Sequence, residues 1–84
     1  MNATIIAEGG SYLLISRGGR FAVVERRNHH FYNCHGGKRH GTATDDLSTI
    51  EQVVDETDWV NEASARRDFR EVVSRYTEPA EHMR

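Results

Sequence analysis

The stretch that decides the fold is SYLLISRGGRFAVVERRNHHFYNCH, residues 11–35. It is rich in β-branched and aromatic residues, and two breakers divide it, Gly18-Gly19 and Asn28-His29. A Gly-Gly pair accepts the positive φ that both positions of a type I′ hairpin turn require. With Gly9-Gly10 before them and Gly36-Gly37 after them, the breakers recur every eight to ten residues, a spacing typical of a β-meander. The pattern predicts an antiparallel meander of four to five strands.

Two-residue turns also fix the strand register. A turn at Gly18-Gly19 sets Arg17 opposite Arg20, and a turn at Asn28-His29 sets Arg27 opposite His30. Because register decides which face each side chain occupies, two faces can be written down. The first, called the Tyr12 face, is predicted to carry Tyr12, Leu14, Phe21, Val23, Tyr32 and Cys34. The second, called the Leu13 face, is predicted to carry Leu13, Ile15, Ala22, Val24 and Phe31.

The hydrophobic period changes after Thr44. Apolar residues from Leu47 to Val54 recur at helical spacing, which predicts an amphipathic helix. Asn61 is a good N-cap for a second helix, and Pro79 would stop that helix. We therefore predict a single α+β domain over residues 1–84, with the meander at 3–43, a helical part at 45–77 and a loose tail at 78–84. Both helices are expected on the aromatic-rich Tyr12 face, which leaves the Leu13 face open.

Charge is unevenly distributed along the chain. Residues 1–43 hold six basic and two acidic residues, whereas residues 44–84 hold five basic and eleven acidic ones. No Lys or Arg interrupts the acids of residues 45–58. We predict that these acids bind a protein partner with a basic surface. They are Asp45, Asp46, Glu51, Asp55, Glu56 and Asp58.

That prediction competes with a simpler one, in which the basic and acidic halves attract each other within the fold. The arrangement of the acidic residues relative to Arg17 and Arg20 separates the two. If the acidic residues fold against those arginines, the segment loses its free surface.

The alternative function is nucleic-acid binding through the open Leu13 face. Arg17 opposite Arg20 is a like-charge cross-strand pair, which is costly unless an anion lies between the two side chains. An aromatic ring among basic residues could stack a base. The predicted residues are Arg17, Arg20, Arg26, Phe31, His35, Lys38 and His40. The same open face could also pair with a second copy of the chain.

A metal-binding role comes third. Four histidines and Cys34 lie within residues 29–40, but the predicted register sends them to opposite faces of the sheet, so we predict no metal site and no cofactor. No nucleophile, phosphate-loop or zinc-protease motif is present, which predicts a protein that is not an enzyme. The single cysteine, the absence of a signal-peptide pattern and the absence of a long apolar segment predict a cytoplasmic protein that does not bind membranes.

In size and composition the chain resembles the small anti-CRISPR inhibitors encoded by phages and mobile elements. The resemblance covers no motif and transfers no residue. It implies a single α+β domain that blocks the basic surface of a nucleoprotein. Our first interpretation is therefore a small non-enzymatic protein-binding module that acts as an inhibitor or regulator.

Overall fold

The computed structural model describes residues 3–35, 40–44 and 46–77. Its centre is a five-stranded antiparallel sheet whose strands follow one another in chain order. The strands are β1 (Thr4–Gly9), β2 (Tyr12–Arg17), β3 (Arg20–Arg27), β4 (His30–Asn33) and β5 (His40–Thr44). Two 3-10 helices follow, η1 (Leu47–Val53) and η2 (Glu56–Asp58), and then one α-helix, α1 (Glu62–Thr77). The fold belongs to the α+β class, as predicted.

The predicted register of the two central hairpins is confirmed. Arg17 pairs with Arg20 across the first turn, and Arg27 pairs with His30 across the second. Both residues of each turn have positive φ, as a type I′ turn requires: 57° and 82° at Gly18 and Gly19. The turn chemistry of the sequence therefore determines the register of the three central strands.

The two faces of the sheet have the predicted composition, but both are covered. On the Tyr12 face, Ala65 and Val72 of α1 pack against the sheet, and Cys34 lies in this core as a small buried hydrophobe. On the Leu13 face, Ile50 and Val53 of η1 pack beside Trp59. The prediction that both helices lie on one face and leave the Leu13 face open is therefore wrong.

Solvation explains this division of the helical elements. Leu13, Ile15, Val24 and Phe31 of the Leu13 face are all at most 5% exposed. Leaving each of these side chains in water would cost about 1.5–3 kcal/mol of stability. A chain this small is therefore more stable when its few helical elements cover both faces than when they all cover one.

The first predicted helix is also a 3-10 helix rather than an α-helix. Thr49 interrupts it with φ −117° and ψ 16°, and Val54 already has extended backbone. Side chains branched at Cβ lose rotamer freedom against a preceding helical turn, and the segment carries several of them. Its apolar spacing identified the buried residues correctly but not the type of helix.

A short crossing joins the two layers. Val60 forms a β-bridge with Phe21, with backbone N–H···O distances of 2.8 and 2.9 Å. Asn61 then caps α1, because its Oδ1 accepts a hydrogen bond of 2.8 Å from the backbone N–H of Ser64. The chain thus crosses from the Leu13 face to the Tyr12 face alongside the first part of β3, which β4 does not pair with. None of the helices described is both long and apolar enough to span a membrane.

Candidate functional site

The acidic segment, residues 46–58 of the described chain, folds against the arginine pair of the first hairpin. Arg17 donates through Nη2 to Oε2 of Glu56 at 3.2 Å, and its guanidinium lies 4.4 Å from the centre of the Trp59 ring. Arg20 donates to the backbone carbonyl of Trp59 at 3.3 Å. The anion expected beside this like-charge pair is thus supplied by the protein itself.

A second acid of the segment is bonded inward. Nδ2 of Asn33 donates to Oδ2 of Asp58 at 2.7 Å, while its Oδ1 accepts from the backbone N–H of His35 at 3.2 Å. Asn33 is fully buried and lies opposite Val24 on the Leu13 face. Sequence reasoning missed it, although a polar residue at an apolar strand position is the signal that could have identified it.

Asp46 serves the local backbone. Its Oδ1 accepts hydrogen bonds from the Ser48 hydroxyl at 2.8 Å and from the Ser48 backbone N–H at 3.0 Å. These two bonds stabilise the carboxylate and hold the pKa of Asp46 below its usual value. The cap therefore weakens as the pH falls through that lowered pKa.

The remaining predicted acids differ in exposure. Glu51 is half-buried, and one of its carboxylate oxygens is inaccessible to solvent. Asp55 is exposed and makes no side-chain cap bond to η2. Asp45 lies outside the described residues. The partner-binding role of the segment is still a prediction, but much of its charge serves the fold.

The predicted nucleic-acid face cannot stack a base. Phe31 is only 2% exposed and lies in the core of the Leu13 face, so that part of the prediction is wrong. His35 is half-buried, and His40 pairs with Asn33 through its backbone. Lys38 lies outside the described residues. Arg26, another of the predicted cations, lies apart from Arg17 and Arg20, at the end of the hairpin of β3 and β4.

That end, residues 26–30, is the basic hairpin tip. All five of its residues are exposed, and four of them are Arg or His. The guanidinium of Arg26 lies 5.8 Å from the centre of the Phe31 ring, and that of Arg27 lies 5.2 Å from the centre of the Tyr32 ring. In the described part of the chain, no carboxylate lies within ion-pair distance of either arginine.

The turn at the tip has an unusual composition. Asn28 and His29 both have positive φ, 54° and 69°, although glycine is favoured at the second position of a type I′ turn. A left-handed conformation is costly for a residue with a Cβ, and such outliers concentrate at functional sites. His29 therefore places an imidazole where the backbone alone would favour glycine.

The tip also projects beyond the β1–β2 turn beside it. The backbone N–H of Arg26 donates to the carbonyl of Ser11 at 2.7 Å, so the β1–β2 turn lies level with Arg26. Residues 27–30 extend past the β1–β2 turn by two residues on each strand, about 7 Å.

The structure brings no metal ligands together among the residues it describes: no group of three His, Cys, Asp or Glu side chains there could hold an ion. Cys34 and His30 lie on the Tyr12 face, with Cys34 in the core and His30 at the tip. The side chain of His40 is outside the description.

The sequence matches no protein-family model, and neither a curated protein nor a solved structure is significantly similar to it.

Proposed function

We propose that the protein is a small non-catalytic binding module that docks on the phosphate backbone of a nucleic acid through its basic hairpin tip. The observation that supports this proposal is the state of Arg26 and Arg27. Both guanidiniums are exposed, stack on aromatic rings and lack a carboxylate partner within the described chain. A guanidinium held by its face keeps its N–H edge available for the two oxygens of a phosphate.

The charge distribution supports a local contact rather than a general attraction. The chain has a net charge of −2, so its overall field does not draw in a polyanion. Glu56, the acid that pairs with Arg17, lies at the far end of the hairpin of β2 and β3. Seven residue steps of β3, about 23 Å, separate Arg20 at that end from Arg27, and this distance is two to three Debye lengths at physiological salt.

The experiment is a salt titration of nucleic-acid affinity for the wild type and two charge-matched variants. R26Q/R27Q removes both guanidiniums of the tip. R67Q/R70Q removes two exposed arginines of α1, which also lack an ion-pair partner among the described residues. We expect the slope of log K against log salt to fall by about 0.7–0.9 for each phosphate that a variant no longer neutralises, and only in R26Q/R27Q. Equal reductions in both variants would leave only non-specific attraction.

A second candidate retains the interpretation as an inhibitor or regulator that docks on a basic protein. It is favoured by Asp55, which is exposed and makes no cap bond, and by Glu56, whose side chain is 83% exposed despite its contact with Arg17. The variant D55N/E56Q tests it while sparing Asp58, which Asn33 needs as a partner. Weaker capture of a basic partner by D55N/E56Q, with unchanged nucleic-acid affinity, would make this second candidate the better one.

A further inference from the structure

We infer that the basic hairpin tip is built to enter the major groove of B-form duplex DNA, with Arg26 and Arg27 contacting phosphates on opposite walls of the groove. This inference rests on the proposed nucleic-acid function and specifies the form of nucleic acid that the tip recognises. It follows from the directions of the two arginines, the dimensions of the hairpin and the charges around it.

The two arginines point to opposite sides of the hairpin. Arg26 stacks on Phe31, which belongs to the core of the Leu13 face. Arg27 stacks on Tyr32, and its cross-strand partner His30 shares that side. Positive charge on both sides of a projecting ribbon suits a cleft with two anionic walls. It does not suit a flat surface or a single strand, each of which would meet one side only.

The dimensions fit one groove of the duplex. The major groove of B-form DNA is about 12 Å wide and 8.5 Å deep, and it admits a two-stranded β-ribbon. The tip projects by about 7 Å beyond the β1–β2 turn, so that turn would reach the phosphates as the tip nears the floor. The minor groove, at about 6 Å, is too narrow, and the major groove of A-form RNA is too deep and narrow for side chains to read.

His29 takes the position nearest the base edges. It stands at the apex of the turn, and the residue is exposed. Its φ of 69° is positive, a conformation that favours glycine at this position. An imidazole offers both a donor and an acceptor to base edges, which glycine does not.

Two described acids that lie near the tip do not occupy this surface. Glu25 is only 5% exposed and lies opposite Tyr12 on the first hairpin. Asp46, which follows β5, directs one carboxylate oxygen to the Ser48 backbone and hydroxyl. Residues 26–30 themselves hold two arginines and no acid, so among the described residues of the tip the charge is positive.

The test measures the binding of the full chain to three labelled probes of one sequence: a short duplex DNA, the single strand and the duplex RNA. We expect the duplex DNA to bind most tightly, by about tenfold or more. Each of R26Q and R27Q should lower the salt slope by about 0.9. Between about 50 and 200 mM salt, the double variant should then lose about tenfold less affinity than the wild type. Methyl green, which occupies the major groove, should displace the protein, whereas the minor-groove ligand netropsin should not.

The failures are distinguishable. Equal affinity for the single strand, or displacement by netropsin, overturns insertion into the major groove and leaves nucleic-acid binding in place. A loss of affinity confined to one of the two arginines overturns the two-walled arrangement. If R67Q/R70Q weakens binding as much as R26Q/R27Q does, both the inference and the proposed function fail. A thermal melt of each variant confirms that the fold is intact before binding is compared.

Discussion

The acidic segment and the basic hairpin tip have opposite charges and opposite relations to the rest of the fold. In the acidic segment, Glu56 bonds Arg17, Asp58 bonds Asn33 and Asp46 caps η1, so its carboxylates hold the layer on the Leu13 face in place. In the tip, Arg26 and Arg27 stack on aromatic rings, and neither has an ion-pair partner within the described chain. The comparison shows that a sequence locates the charged residues along the chain, but not which of them are bonded within the fold. Only the fold decides which charged side chains are available to a partner.

The largest expected effect belongs to Trp59, on which the acidic segment is anchored. It is 5% exposed, packs in the core of the Leu13 face and lies beneath the guanidinium of Arg17. W59A should lower the free energy of unfolding by about 3–5 kcal/mol, as measured by urea denaturation, whereas W59F should lower it by less. A W59A protein that unfolds at the wild-type urea concentration would show that this layer does not hold the fold.

The next effect concerns the bond between Asn33 and Asp58. N33A removes the buried amide of Asn33 and leaves its hydrogen-bond partners unpaired. We therefore expect the free energy of unfolding to fall by about 1–3 kcal/mol. In the cycle of N33A, D58A and the double variant, the coupling energy should be at least about 0.5 kcal/mol. Additive effects would mean that Asp58 is a surface charge, available to a partner like Asp55.

The local features of the fold could be predicted from the sequence. The turns at Gly18 and Asn28 were expected to fix the register, and both expectations are confirmed. Asn33 was missed, because its role depends on Asp58, 25 positions away.

The covered Leu13 face was missed for a related reason. The apolar spacing from Leu47 to Val54 indicates which side chains are buried but not which sheet face buries them. With that face covered, Phe31 ceased to be a candidate ligand-binding residue. The basic hairpin tip could not be recognised from the sequence as a candidate surface. Arg27 and His29 belong to no motif, and their projection and exposure depend on the strand lengths of the folded sheet.

Arg17 and Arg27 allow the same comparison with smaller expected changes in the free energy of unfolding. R17Q removes a contact with the buried Trp59 and an ion pair, and it should cost about 0.5–2 kcal/mol of stability. R27Q removes an exposed stacking contact, and its cost should stay within about 0.5 kcal/mol. If both variants melt alike, the arginines of the first hairpin are no more committed to the fold than those of the tip.

The last stability effect has the opposite sign. H29G relieves the positive φ of a residue with a Cβ, and it should raise the free energy of unfolding by about 0.5–1 kcal/mol while weakening nucleic-acid binding. A destabilised H29G would show instead that the imidazole supports the turn. N28G offers the control, since asparagine tolerates the left-handed conformation well and gains less from the change.

The central claim, that the tip rather than the acidic segment is the docking surface, is tested most directly by an NMR titration of ¹⁵N-labelled protein with a short duplex DNA. The account predicts that the amide signals of residues 26–30 shift in proportion to the bound fraction, while those of residues 55–58 stay in place. It predicts in addition that R26Q/R27Q abolishes these shifts at the same DNA concentration and that R67Q/R70Q preserves them. Shifts centred on residues 55–58 or 67–70, with the tip unmoved, would contradict it.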